Sequence, residues 1–421
     1  KQLSTSVLVV PVSAIPNWES EIRKFSTALR FYRHLGVKRS KSNRDWEHYD
    51  LIITSYATLR NDIELFREFH FDNIILDESQ NIKNHSSQIS KAVKLISATH
   101  RLALSGTPVE NNSYELWSLF DYLMPGYLGS LNWFKDTFEK QGSVSESEKL
   151  EKLQLLRKMI YPFMLRRRKE DVETELPPKT EIIVKLKMDE SQEELYQEVA
   201  KAYRDELVIE SKDPEKPKTK PNTIKILEGI LRLRQLCLFP ELVNPEYQSI
   251  QSAKFEHFRG LLREIVAEGH KVLVFSQFVQ VLSILRKNIE LEGMDYAYLD
   301  GSTPYEKRKE AIERFQNTDE TDIFLLSLKS GGVAINLTKA DYVIIFDPWW
   351  NPAVEAQAID RSHRIGQTKN VFVYKMVLEN TIEEKMLELQ EQKRDLFDNI
   401  VTTDSKAFKD LSREELLKLF N

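Results

Sequence analysis

Short apolar runs rich in β-branched residues punctuate the first quarter of the chain: Val7 to Val10, Leu51 to Thr54, Ile74 to Leu76 and Leu102 to Leu104. Each is bounded by polar or turn residues and separated from the next by a longer helix-compatible stretch. Runs without alternation are the mark of strands buried on both faces, so the series predicts a parallel sheet covered by helices. The series stops at Ser113. From there to Arg168 the apolar positions fall at helical spacing, in Leu116, Trp117, Phe120 and Leu123, then Trp133, Phe134 and Phe138, then Leu153, Leu156 and Ile160. After a strand-like stretch from Glu181 to Met188, a second helical region runs to about Leu238. It is broken by ESKDPEKPKTKPN (Glu210 to Asn222), too charged and too rich in proline to pack, which predicts a mobile surface loop.

A second strand series starts at Lys271, with Val272 to Phe275, Tyr296 to Leu299, Ile323 to Ser327, Tyr342 to Phe346 and Val371 to Val377. The pattern alone therefore predicts an α/β protein with two parallel sheets and helical insertions. Beyond it, Thr381-Ile382-Glu383-Glu384 has the form of a capping box, and Ile382, Met386, Leu389, Leu396 and Ile400 mark one face of a long charged helix.

At 421 residues the chain is too long for one compact core, which agrees with two domains. Hydrophobic residues at 41% and charged residues at 30% exclude a disordered chain, and no apolar run approaches the roughly 20 residues of a membrane helix. A soluble, cytoplasmic protein is the expectation. The single cysteine, Cys237, offers neither a disulfide nor a zinc knuckle and reads as core. A net charge of −5 gives no global sign of a nucleic-acid binder, so any basic groove has to be local.

Three segments carry candidate chemistry. Ile74-Ile75-Leu76 runs straight into Asp77-Glu78-Ser79-Gln80, placing two carboxylates at the carboxyl end of a parallel strand, where one acid can hold Mg²⁺ while its neighbour orients a water. Two acids in a solvated turn would look the same. Leu104-Ser105-Gly106-Thr107-Pro108 ends the next strand in small hydroxylated residues, suited to sensing a phosphate but equally to an ordinary turn. Asp360-Arg361-Ser362-His363-Arg364-Ile365-Gly366-Gln367 sets two arginines three apart, on one side of a helical turn, as a pair of guanidinium groups for a phosphoryl group or as a plain surface pair.

Taken in order, Asp77 to Gln80, LSGTPVEN (Leu104 to Asn111), LSLKSGGVAINLT (Leu326 to Thr338) and DPWWNPAVEAQAIDRSHRIGQ (Asp347 to Gln367) resemble motifs II, III, V and VI of the Swi/Snf-like, DNA-translocating ATPases of helicase superfamily two, in wording closest to bacterial members. Val9-Val10-Pro11 with Asn17-Trp18 is similar to motif Ia, Thr54-Ser55-Tyr56 to motif Ib, and Val274 to Phe278 to motif IV; Asp300-Gly301-Ser302 is similar to the motif that follows. The resemblance implies two RecA-like lobes. Lobe one is expected over residues 1–180, with a helical protrusion at about 113–168 and a linker at 166–180. Lobe two is expected over 181–421, with a protrusion at about 189–250, a core at 251–378 and a C-terminal helical brace at 379–421.

The resemblance also implies roles. Asp77 would hold Mg²⁺, Glu78 would polarise the attacking water, and Arg361 and Arg364 would be arginine fingers. Gln80, Ser105, Gly106, Thr107, Gly331, Gly332 and Gln367 would bind or sense ATP. Contacts to double-stranded DNA would come from Pro11, Trp18, Ser55 and Tyr56 in lobe one and from Ser276, Gln277, Gly301, Ser302, Ser327, Lys329 and Trp350 in lobe two. Strand-end amides and hydroxyls hold phosphates without reading bases, so binding is expected to be sequence-independent and salt-sensitive. Trp18 and Trp350 are equally readable as core aromatics. The basic run Leu165 to Lys169 resembles the family's linker, stiffened by Pro177-Pro178.

Two departures stand out. A phosphate loop needs GxxxxGK[ST], and none of the 13 glycines is followed by lysine. Truncation of a longer protein is the expectation, every later motif being present in order, and the chain as it stands is expected to hydrolyse ATP negligibly. A catalytically inactive DNA clamp and an RNA-directed helicase are the alternatives. Ala334 stands where motif V usually has glycine, a change that matters only if that position needs a positive φ.

Overall fold

The structure, a computed structural model, describes residues 4–36, 39–106, 113–138, 146–165, 167, 176–209, 223–328, 335–349 and 351–388. The expected loop at 210–222, most of the basic linker, and Leu389, Leu396 and Ile400 of the brace lie outside the described residues. The chain divides into two units, the second starting at Arg167.

In the first unit, β1 (Ser6–Val10), β2 (Phe31–His34), β3 (Leu51–Ser55), β4 (His70–Leu76) and β5 (Ser97–Ala103) form one parallel sheet in the order β2-β3-β1-β4-β5. The central strands are apolar throughout because helices cover both faces. Val7, Val9, Ile52, Ile74 and Leu76 share a core with Trp46, Phe66 and Phe71, rings whose full burial is worth about 1.5–3 kcal/mol each. The helices Ser113–Leu123, Leu131–Phe138 and Glu146–Ile160 bury a core of their own around Leu116, Trp117, Phe120, Phe134 and Leu156.

The second unit carries a six-stranded parallel sheet of β6 (Lys179–Leu186), β7 (Val272–Ser276), β8 (Tyr296–Leu299), β9 (Ile323–Ser327), β10 (Tyr342–Ile345) and β11 (Val371–Leu378), in the order β6-β11-β10-β7-β9-β8. Along β7, Leu273 and Phe275 join one core and Val272 and Val274 the other, the period of two expected for a strand covered on both faces. The helix pair Glu190–Ile209 and Thr223–Leu238 makes a third core, which contains Cys237 as expected together with Ile382 and Met386.

A fully buried ion pair closes this unit. Lys254 Nζ lies 2.5 and 2.6 Å from the two carboxylate oxygens of Glu383, and Glu383 also accepts the Leu378 amide. The expected capping box forms one residue out of register. Thr381 Oγ1 accepts the Glu383 amide, while Glu384 reaches back to the amide of Asn380. Among the described residues no helix is long and apolar enough to cross a membrane.

Candidate functional site

In the first unit the site is built where β4 stops. Asp77 continues the ladder, its amide donating to Val9 O at 2.9 Å, and Glu78 then turns the chain with φ 50° and ψ 53°. That left-handed conformation costs a non-glycine residue of the order of 1–2 kcal/mol, and such residues gather where geometry serves function. Around it, Ser79 N donates to Leu104 O at 2.9 Å and the Asn81 side chain donates to Glu78 O at 2.8 Å, so the turn is tied to its own helical start and to the end of β5.

The side chains form a connected set. Gln80 Nε2 donates to Glu78 Oε2 at 2.7 Å and Ser105 Oγ donates to Gln80 Oε1 at 3.1 Å, which joins the acid to the loop after β5 through one amide. Asp77 Oδ1 accepts the Glu78 amide at 2.9 Å and Asp77 Oδ2 accepts Trp18 Nε1 at 2.7 Å. Tyr56 OH donates to Asp77 O at 2.7 Å. Burial, with the negative charges of Asp77 and Glu78 behind it, pushes the Tyr56 phenol far up, so it stays a neutral donor. Asp77, Glu78, Gln80 and Ser105 are half-buried and Gly106 is exposed.

Mg²⁺ fits this arrangement. A carboxylate has about four lone-pair positions, and two of those on Asp77 are taken. The positions left on Asp77 suit a cation that typically keeps one or two carboxylates and takes its remaining oxygens from phosphates and water.

Several of the expected DNA contacts also support the protein's own backbone and the turn at Asp77. Ser55 is buried; as the N-cap of the helix Tyr56–Asn61 it accepts the Thr58 amide and donates to Thr58 Oγ1, the usual fate of a serine between a strand and a helix. Tyr56 is a buried prop for the turn at Asp77, and Trp18 reaches Asp77 from the helix Ile15–Phe25. Pro11 is half-buried directly after β1.

The second unit presents its own strand ends. Ser276 and Ser327 are buried, and the Gln277 amide donates to Asp347, 3.3 Å from each carboxylate oxygen. Gly301 and Ser302 are exposed. Asp300 organises that turn by accepting the amide and hydroxyl of Ser302 and the hydroxyls of Thr303 and Tyr298.

The two arginines do not share a helical turn. The helix Pro352–Ile359 ends first, and Arg361 and Arg364 lie in the turns beyond it, Arg361 buried and Arg364 half-buried. The helix stops because the chain is drawn off elsewhere. Arg361 O accepts the Leu337 amide, and Gln367 Nε2 donates to Ala340 O and Ser362 O while its Oε1 accepts the amides of Thr368 and Lys369. Every polar atom of the Gln367 side chain is thereby used, so it is a strut for the arginine loop and has nothing left for a nucleotide. Thr107, Lys329, Gly331, Gly332, Ala334 and Trp350 lie outside the described residues.

Sequence reasoning missed Arg234 and Asp347, both buried beside these strand ends. Asp347 was in view as the first residue of DPWWNP. Arg234 gave no signal, because an arginine in an amphipathic helix reads as its solvated side.

Two parallel-sheet lobes with a carboxylate pair at a strand's carboxyl end define the class, the RecA-like α/β motor cores. The profile of the SNF2-related domain matches residues 1–242 and that of the helicase conserved C-terminal domain residues 253–366, and the chain belongs to the SNF2-related family. Relatives include an uncharacterized ATP-dependent helicase of Mycoplasma pneumoniae, 37% identical over 99% of this chain and 39% of that protein. A putative ATP-dependent helicase/translocase of Bacillus subtilis is 36% identical over 100% of this chain and 45% of its own length. The human SWI/SNF-related matrix-associated actin-dependent regulator of chromatin subfamily A member 1 is 35% identical over 98% and 40%. A solved SWI2/SNF2 ATPase core of Sulfolobus solfataricus in complex with dsDNA is 36% identical, covering 100% of this chain and 86% of that one, with a TM-score of 0.49. The chain spans between about a quarter and a little under half of the length of the curated relatives it matches.

Proposed function

We propose that the chain is the greater part of an ATP-driven motor that moves along double-stranded DNA. The observation that carries this reading is the hydrogen-bonded series Glu78, Gln80, Ser105, which ties the acid to the loop after the neighbouring strand. A group that orients a water on a phosphate has to respond to whether that phosphate is present, and a shared amide is the shortest way to link the two. Asp77 holds the cation, kept in orientation by Trp18 and the Glu78 amide. Glu78 accepts the proton of the attacking water, and its left-handed backbone sets its carboxylate beyond the end of β4. Mg²⁺, when bound, neutralises charge on the phosphates. Arg361 and Arg364 supply positive charge against the negative charge that develops on the transferred group. The exposed Gly301 and Ser302, with strand-end backbone elsewhere, meet DNA phosphates.

The test is phosphate release by the full-length protein with duplex DNA, single-stranded DNA and RNA as stimulants. Stimulation by duplex DNA above the other two is expected. Equal or greater stimulation by RNA would move the reading to an RNA-directed helicase, and DNA binding without turnover would make it a clamp.

A further inference from the structure

Arg234 lies in the helix Thr223–Leu238, yet it is only 6% exposed. Its guanidinium carbon sits 5.4 Å from the ring centre of Phe278 and 5.6 Å from that of Trp349. One terminal nitrogen donates to Pro348 O at 2.9 Å and stands 3.5 Å from Asp347 Oδ2, while Nε is buried without a hydrogen-bond partner among the described residues. Burial pushes the pKa of this guanidinium down, against the pull of Asp347. Removing two ions from water costs several kcal/mol each, and a pair as long as this one, with a nitrogen left unsatisfied, recovers only part of it. Replacing both ions by apolar groups would serve stability as well, whereas removing Arg234 alone leaves the buried Asp347 carboxyl without its cation.

The position of Arg234 gives it another use. Phe278 follows β7 and Asp347 to Trp349 follow β10, and the two strand ends meet each other through the Gln277 amide on Asp347. Arg234 touches both turns, through two rings, a carbonyl and a carboxylate. We propose that Arg234 is a positioning residue for DNA binding: clamped between Phe278 and Trp349, it holds the turns after β7 and β10 in one relative arrangement, so that both meet the duplex backbone as a single preformed surface. The proposal rests on the functional reading above and adds to it the residue that makes this part of the DNA surface rigid. Arg234 is too deeply buried to be a phosphate ligand itself. Preformed loops avoid the ordering cost of binding, which is where its effect on affinity arises.

The experiment compares this chain with Arg234→Met and Arg234→Lys, each titrated with duplex DNA over a salt series and each followed through thermal unfolding. The methionine variant is expected to fold and to bind about tenfold more weakly at every salt concentration, with the slope of log affinity against log salt unchanged, because that slope counts phosphates neutralised. The lysine variant, which keeps a charge for Asp347 but has no planar group for two rings and a carbonyl, is expected to fall between the methionine variant and the parent. Adding Trp349→Leu to Arg234→Met is expected to cost little more, since both break one clamp.

Unchanged affinity in a folded variant would overturn the proposal, as would full additivity with Trp349→Leu. A slope shallower by about one phosphate would also overturn it, making Arg234 a direct contact. Should the methionine variant fail to fold, the lysine variant and Trp349→Leu alone carry the same decision. A parent chain that does not bind duplex DNA removes the functional reading and this proposal together. Tight binding by parent and variants alike removes the proposal alone.

Discussion

The indole of Trp18 donates a 2.7 Å hydrogen bond to Asp77 Oδ2, across 59 positions of sequence. Trp18, expected as a DNA contact, is a partner of the carboxylate proposed to hold Mg²⁺, with its ring half-buried on the helix Ile15–Phe25. Trp18→Phe keeps an aromatic ring and removes the donor. In the full-length protein it is expected to raise the Mg²⁺ concentration for half-maximal turnover about tenfold, the scale of one hydrogen bond to a charged group, and to leave DNA affinity unchanged. A loss of DNA affinity with an unaltered Mg²⁺ requirement would return Trp18 to the DNA surface.

Glu78 makes a second prediction possible because its backbone and its side chain can be separated. Glu78→Gln is expected to keep nucleotide binding and to lower DNA-stimulated turnover by at least about 10²-fold in the full-length protein, since it removes the proton acceptor and leaves Asp77 in place. Glu78→Ala and Glu78→Gly both delete the side-chain bond to Gln80 and differ in the cost of a Cβ at φ 50°. Glycine is therefore expected to be the more stable of the two by about 1 kcal/mol, read from urea unfolding of this chain. Equal stabilities would mean the turn relaxes out of the left-handed region.

What the sequence made legible follows from burial. Strands covered on both faces announce themselves, so the central strands and the acids at the end of β4 were readable. The strand β2 was missed because Phe31-Tyr32-Arg33-His34 lies at the sheet edge, half-buried and interrupted by a charge. Only the last residues of β5 were foreseen, because Ser97–Ala103, at the other edge, carries His100 and Arg101 among its apolar positions. Side-chain roles were less legible than positions. Ser55 and Gln367 are polar residues at strand and helix ends, and whether such groups face a ligand or cap their own backbone depends on a few ångströms that spacing does not encode. Buried Arg234 inverted the usual reading of charge outright.

Asp347 carries the pH prediction. Burial raises its carboxyl to about 7, in spite of the opposing pull of Arg234, the Ser276 hydroxyl, Lys254 and the Gln277 amide. A folded pKa above the unfolded one means that the native state holds the proton more tightly. Its contribution to stability is complete below about pH 4, declines as pH rises through about 7, and is flat beyond that. The stability of the parent relative to Asp347→Asn, measured by urea unfolding, is accordingly expected to fall between about pH 4 and about pH 7 and to stay level above that. A flat difference would mean that Arg234 keeps the carboxylate ionised throughout.

Arg361 and Arg364 share a motif but differ in burial, and that difference predicts separate phenotypes. Arg361 is 8% exposed, and its carbonyl anchors the Leu337 amide, so Arg361→Ala empties a filled site in the loop that Gln367 supports. It is expected to lower the unfolding stability of this chain by about 1–3 kcal/mol as well as to impair turnover. Arg364 is half-buried, and its amide bond to Ser362 O and its carbonyl bond from Gln367 N are made by backbone alone. Truncating its side chain therefore leaves the loop intact. Arg364→Ala is expected to lower DNA-stimulated turnover of the full-length protein by about 10³-fold, the scale of a lost arginine finger, with stability and DNA affinity near those of the parent. Were Arg364→Ala to keep its turnover and lose DNA, the guanidinium would belong to the duplex surface and the phosphoryl charge would need another partner.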